Sequence, residues 1–370
     1  MRVLLAPDSF TGTLSAPVAA AALAAGWRSV RPADELVELP LSDGGPGFAG
    51  TVGGGWHEVP AVEDPLARPV PAGFRLKEGT AYVESALACG LHLLADDERD
   101  PTRTTTYGVG QLVKAAIDAG ASRVVVGLGG SGTNDGGAGL LAALGVGRFD
   151  AAGDRVPPGG LALADVRLLR GQPRLGGVQL VAATDVDAPL LGPDGASAVF
   201  GPQKGACGEQ VGALDSALAS WADLVEGHLG VRVRDLPGAG AAGGLGFALL
   251  ALGATRVLGL DVVAAAVGLD AAVAAADLVV TGEGAFDAPS LRGKVVGGVA
   301  ARAAAAAVPC VVVAGRVLVG RREAAAAGVE QSYALADEVG MDRALSDPAG
   351  SLSAVAARLA LQWSGTGPPR

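Results

Sequence analysis

A chain of 370 residues is longer than one hydrophobic core normally serves, so two domains are the first expectation. Half of its residues are apolar and 18% are charged, which argues against disorder, and a net charge of −10 argues against nucleic acid or an anionic membrane as a partner. A phosphate-bearing ligand would need a local patch of donors and cations, or a metal, because the global field repels it.

The opening "MRVLLAPDSF" holds an apolar run too short for a signal peptide and shaped like a first strand. The spacing that follows predicts a helix over 15–30, with Ser15 as cap and Pro17 in its first turn, and then a second strand, "ELVELPLSD". Residues 56–85 have no helical period, several prolines and hairpin-like turns. "RVVVGLGG" is a strand running into glycines, "LLAALG" reads as helix, and "FDAAGDRV" (149–156) as another hairpin. "VQLVAATDVD" and "DLVVTGEGAFD" are strands that end in Gly/Asp loops. A helix is expected from near Gly293, "PCVVVAG" is a buried strand, and the tail "SGTGPPR" is expected to fray. Trp27 and Trp221 fall in helix-like stretches and read as packing residues.

Buried apolar strands alternating with helices predict an α/β fold. The expected architecture is a parallel open-sheet domain, flavodoxin- or Rossmann-like, from 1–60 and 265–370, with a second α+β domain, 61–264, inserted and the active site in the cleft between them. Cys89, Cys207 and Cys310 are far apart and without metal-ligand spacing, so they read as buried free thiols in a reducing compartment. Ala-rich runs are interrupted by Arg302 and Pro309, so no membrane span is expected and a cytoplasmic protein is.

Ligands of parallel sheets collect at the carboxyl ends of strands. Five polar loops fall there: "APDSFTGTLSA" (6–16), "LSDGGPG" (41–47), "GLGGSGTNDGGAG" (127–139), "ATDVDAPLLGPDGASAVFGPQKGA" (183–206) and "TGEGAFDAPSLRGK" (281–294). The third has seven glycines in thirteen positions. Glycine lets backbone approach a ligand, and successive N–H groups beside a helix start form an anion nest. On that reading Gly129 and Gly130 cradle phosphate with Asn134, Ser131 and Thr133 add hydroxyls, and Asn134 and Asp135 hold hydrated Mg²⁺. The alternative is a tight strand-to-helix turn with Asp135 as its cap. The loop has neither the Gly-Lys-Ser/Thr ending of a Walker A loop nor the later acidic residue of a dinucleotide fingerprint. Only four of the 28 basic residues are lysines, and Lys204 and Lys294 lie in glycine-rich stretches that suit a compact ammonium. His57, His92 and His228 lie outside every such loop, which disfavours His-based catalysis or a zinc site.

"APDSF…LSA", "DGG", "GLGGSGTNDGGAGLLAALG", "DVDAPLLGPDGASAVFGPQKGA", "PGAGAAGGLG" and "TGEGAFDAPSLRGK" together resemble the bacterial glycerate kinase family, in order from residue 3 to about 320. The resemblance implies two α/β domains, ATP with Mg²⁺, D-glycerate as substrate and phosphoglycerate, usually the 2-phosphate, as product. No nucleic-acid or membrane partner is expected from the charge and composition, and a monomer or homodimer is expected. Thr11, Pro46, Ala285 and Pro289 depart from the family's pattern, so a non-catalytic or altered-specificity paralogue that binds nucleotide or a sugar acid as a sensor is the alternative. Phosphoryl transfer needs charge neutralisation, in-line positioning and a proton acceptor. The expected catalytic residues are Asp8, Asp43, Asp185 and Lys294. Ser9, Asp187, Lys204, Ser131 and Thr133 are expected on the substrate, and Gly129, Gly130, Asn134, Gly282, Glu283 and Asp287 on phosphate or nucleotide. Asp135 and Asp185 are the expected metal ligands, Asp185 and Asp187 forming a clamp if their backbone stays extended.

Overall fold

Uninterrupted β-branched runs such as "RVVV" and "CVVV" can face water on neither side, and they become central strands covered by helices. The computed structural model describes residues 1–10, 12–291 and 294–363; Thr11, Gly293 and the tail expected to fray lie outside them. In chain order the strands are β1 (Arg2–Leu5), β2 (Glu35–Glu38), β3 (Gly55–Glu63), β4 (Pro69–Lys77), β5 (Thr80–Glu84), β6 (Arg123–Gly127), β7 (Gly147–Phe149), β8 (Leu168–Arg170), β9 (Gln179–Ala183), β10 (Thr255–Val257), β11 (Leu278–Phe286), β12 (Cys310–Val317) and β13 (Gln331–Ala334).

Two units result, one from Met1–Asp43 with Leu260–Arg370 and one from Gly44–Gly259. In the first, five strands lie in the order β13-β12-β11-β1-β2, all parallel, with Val3 opposite Leu278 and Leu5 opposite Val280. Helices Ala16–Val30 and Pro348–Trp363 contribute Leu23, Trp27, Leu352, Val355 and Leu359 to its core. Gly26 makes their crossing possible, because a Cβ there would stand 2.0 Å from the Ser353 carbonyl oxygen. Trp27 is fully buried and its indole N–H donates to Asp34 at 2.9 Å. Ser15 occupies the cap position of the first helix, but its side chain makes no capping hydrogen bond.

The second unit is a mixed sheet ordered β10-β9-β6-β5-β4-β3. Its β10-β9-β6-β5 part is parallel, while β5-β4-β3, the segment without helical period, is an antiparallel meander. A small β7-β8 ribbon stands apart. Val124, Val126, Leu140, Trp221 and Phe247 anchor its core. Where the sequence suggests a boundary near 60, the chain enters this unit at Gly44 and leaves it at Gly259. The cause lies in contacts distant in sequence: the Gly44 carbonyl accepts from Gly129 N–H at 3.1 Å, and the Glu84 carboxylate accepts from the N–H groups of Gly47 and Ala49. Cys89 and Cys310 are buried, whereas Cys207 is exposed, contrary to expectation, at the start of helix Gly208–Leu229. Among the described residues no helix is long and apolar enough to cross a membrane.

Candidate active site

In the first unit the β1 ladder outlasts the strand itself. Ala6 N–H donates to the Val280 carbonyl and Asp8 N–H to that of Gly282, each at 2.8 Å, which sets Asp8 beside the end of β11. Gly282 serves this packing: a Cβ there would lie 2.0 Å from the Val313 carbonyl oxygen on β12. Leu41 N–H donates to Pro7 at 2.9 Å and brings the chain after β2 to the same end, with Asp43 two residues on. The segments after β1 and β2 and the second half of β11 thus bring three carboxylates, Asp8, Asp43 and Glu283, close enough for charge to act between them.

Burial and neighbouring charge act on two of them. Burial, then the charge of Asp43, and more weakly that of Glu283, push the Asp8 carboxyl up from 3.8 to about 8. The Ser9 N–H, 2.6 Å from its Oδ1, opposes this. Glu283, 9% exposed, is raised to about 7, mainly by burial, with Ser290 and Lys294 opposing and Asp287 and Asp43 adding to it. Its Oε1 is buried without a hydrogen-bond partner among the described residues. Asp287 and Ser290 close a turn on each other, the Ser290 hydroxyl donating to Asp287 Oδ1 at 3.0 Å and to the Ala285 carbonyl at 3.3 Å. Lys294 is the cap residue of helix Val295–Ala305, and its carbonyl accepts from Gly298 N–H at 2.9 Å.

Such a cluster can do two things. A carboxyl held near neutrality can accept a hydroxyl proton at physiological pH. Carboxylates gathered this closely also attract a cation, and Lys294, whose charge acts on Glu283, is one. Among the described residues no group of three or more His, Cys, Asp or Glu side chains is arranged to hold a metal ion alone. Mg²⁺ suits the donor set in another way, since it commonly binds one or two carboxylates and completes its shell with waters and phosphate oxygens. The orphaned Glu283 Oε1 is an oxygen donor of that kind.

The glycine-rich loop of the second unit turns out differently. Its N–H groups at Leu128, Gly129, Gly132 and Gly136 donate to the carbonyls of Ala183, Gly44, Cys89 and Gly243. A Cβ at Gly129 would sit 2.3 Å from Gly45 Cα, and one at Gly130 2.7 Å from Pro46 Cγ. Glycine here admits neighbouring backbone, and Pro46, one of the departures from the family pattern, rests on Gly130. The helix that follows, Ala138–Ala143, is only six residues long. Asp135 is 1% exposed and accepts from Thr106 N–H and hydroxyl and from Gly137 and Gly139 N–H, at 2.9–3.1 Å. Its carboxylate is engaged by that turn, while the cap position of the helix itself is Gly137.

The other expected ligands are engaged only in part. Ser131 is 7% exposed, Thr133 and Asn134 are wholly buried, and Asn134 Nδ2 donates to Ser197 at 2.9 Å, whereas Thr133 Oγ1 and Asn134 Oδ1 are buried with no hydrogen-bond partner among the described residues. Lys204, expected on substrate, is 1% exposed with Nζ donating to the Thr133 carbonyl at 2.7 Å, and burial lowers its ammonium to about 8. Asp185 Oδ1 accepts from Gly259 N–H at 2.9 Å, while Asp187 pairs with Arg256 on β10 at 2.6 Å. The two carboxylates engage different partners, and a clamp between them is not what the backbone builds. Sequence reading overlooked Ser290, whose signal is the D-x-x-S turn from Asp287, and Glu84, a strand-end carboxylate with no glycine beside it to draw notice.

The sequence pattern described as the glycerate kinase family matches residues 3–364. The glycerate kinase of Bacillus subtilis (strain 168) is 45% identical over 86% of this chain and 85% of its own. The glycerate 2-kinase of Escherichia coli (strain K12) is 42% identical over 81% of each chain. A crystal structure assigned as a glycerate kinase 2 from Salmonella typhimurium LT2 superposes with a TM-score of 0.83 and 37% identity, covering 99% of this chain and 98% of that one.

Proposed function

Because the chain belongs to the glycerate kinase family, we propose that this kinase transfers the terminal phosphoryl group of ATP to D-glycerate in the cytoplasm and forms 2-phosphoglycerate. The observation that carries this reading is Asp8, raised to about 8 beside Asp43, Glu283 and Lys294. Asp8 takes the proton of the attacking hydroxyl as its oxygen bonds to the γ-phosphorus and the bond to the β–γ bridging oxygen breaks, releasing ADP. Ser9 N–H steadies the Asp8 carboxylate, and Lys294 meets the charge on the phosphoryl oxygens. Asp43 and Glu283 would hold Mg²⁺, which when bound neutralises phosphate charge.

A coupled ADP-release assay over short hydroxy-acids tests the activity, and phosphorus NMR of the product reads the position phosphorylated. Turnover strongest with D-glycerate and a 2-phosphate product are expected. Folded protein that turns over no hydroxy-acid would favour the sensor reading instead.

A further inference from the structure

The second unit contains a cavity of about 330 Å³ lined by Glu63, Thr105, Tyr107, Arg148, Arg155 and Val156, among others. None of these residues was singled out by sequence, and none belongs to the acid cluster of the first unit. Two guanidinium groups converge there in a protein whose net charge is −10. Neither forms an ion pair among the described residues. Arg148 is held in place by its own bonds, Nε to the Val156 carbonyl and Nη1 to that of Ala138, both at 3.2 Å. Arg155 lies 5.7 Å from the centre of the Phe149 ring, and Arg170 lies 4.7 Å from it, so a third cation stands near. The lining holds one carboxyl, Glu63, raised from its ordinary value by burial and by the charge of Asp64, against the two guanidinium groups.

We propose that this cavity binds a small phosphate monoester, as a second anion site separate from the acid cluster. Forked guanidinium groups match the oxygens of a phosphate, and the Tyr107 phenol adds a donor. The volume stands at the lower end of ligand pockets, which suits a phosphorylated three- or four-carbon molecule and not a nucleotide. Occupancy is felt by the glycine-rich loop through two links. Arg148 holds the carbonyl of Ala138, the first residue of the helix after that loop, and Thr106, beside the cavity's Thr105, holds the Asp135 carboxylate.

The test is calorimetric titration of the full-length protein, without divalent cations, using glycerol 3-phosphate, inorganic phosphate and AMP. Arg155→Glu alters an exposed side chain outside the catalytic machinery and should leave turnover without added effector unchanged. Glycerol 3-phosphate should bind the native protein and Lys294→Ala alike, and Arg155→Glu about tenfold to a hundredfold more weakly. Inorganic phosphate should bind more weakly than the ester at the same site, and AMP should not compete. Binding that is lost in Lys294→Ala but kept in Arg155→Glu would overturn the proposal by placing the anion at the acid cluster, as would no binding at millimolar ligand.

Discussion

Lys204→Met removes a buried ammonium while keeping most of the side-chain volume. Lys204 is 1% exposed, and burial brings its ammonium from 10.5 down to about 8. Between those two values the unfolded chain binds a proton that the folded chain does not, so native stability rises with pH across that window. At 1.36 kcal/mol per pK unit the rise amounts to roughly 3 kcal/mol, and methionine has no proton with which to show it. Below pH 8 the native ammonium is charged in both states, and its burial cost is offset by the bond to the Thr133 carbonyl. Losing that bond costs about 1–3 kcal/mol, so the two proteins should differ little near pH 7 and diverge steadily toward pH 10.5. Urea denaturation of both proteins across this range measures the gap. Parallel stability curves would refute the buried-charge argument. Kinetics supply a second check, because Nζ is bonded to Thr133 and nearly inaccessible: KM for D-glycerate should stay close to native, and a large rise would return Lys204 to the substrate.

Asp8→Asn should lower turnover by about 10²–10⁴-fold, the usual worth of a general base, in the coupled assay. Without nucleotide or metal the same variant should gain stability relative to native as pH rises from about 4 to 8, since only the native folded state holds a proton there that the unfolded state has released; denaturation at pH 5 and pH 9 reads the sign. Lys294→Ala should cut kcat about 10²–10³-fold, and Lys294→Arg should restore little of it, as steady-state kinetics would show. Gly137→Ala places a Cβ 2.2 Å from that of Ala248 at a φ of +69°, and should cost roughly 2 kcal/mol or more in a thermal melt.

Strand-forming runs and the glycine punctuation between them made both sheets legible in advance, because apolar period and turn chemistry are local properties. The antiparallel meander of residues 56–85 was legible for the same reason. The boundary at Gly44 was not. It depends on Glu84 and Gly129 capturing the turn after β2, and neither partner is near it in sequence. Within the candidate site, Asp8, Asp43, Glu283 and Lys294 can be picked out as candidates because strand-to-loop transitions and helix starts can be read from pattern. The glycine-rich loop is ambiguous in sequence because one residue type meets two demands. A glycine that admits a phosphate and one that admits a neighbouring backbone look alike until the neighbour is placed, as Gly45 is against Gly129.

A carboxylate can be sorted by what the fold provides for it. Asp135 accepts from five donors, Asp64 from the N–H groups of Leu66 and Arg68 and from the Arg68 guanidinium, and Glu226 from Val233, Arg234 and two guanidinium nitrogens of Arg234. Each is satisfied within the protein and stabilises a turn as an anion. Asp8 is offered the N–H of its own neighbour, and Glu283 Oε1 accepts from no described residue. A fold that buries carboxyl groups and withholds donors raises their affinity for protons and cations, at a cost in stability of its own. That cost is intelligible where a substrate hydroxyl supplies the proton and a metal the charge. The same reasoning favours Lys294 over the buried Lys204 for the proposed phosphoryl transfer: its charge bears on Glu283, whereas the ammonium of Lys204 is bonded to a backbone carbonyl.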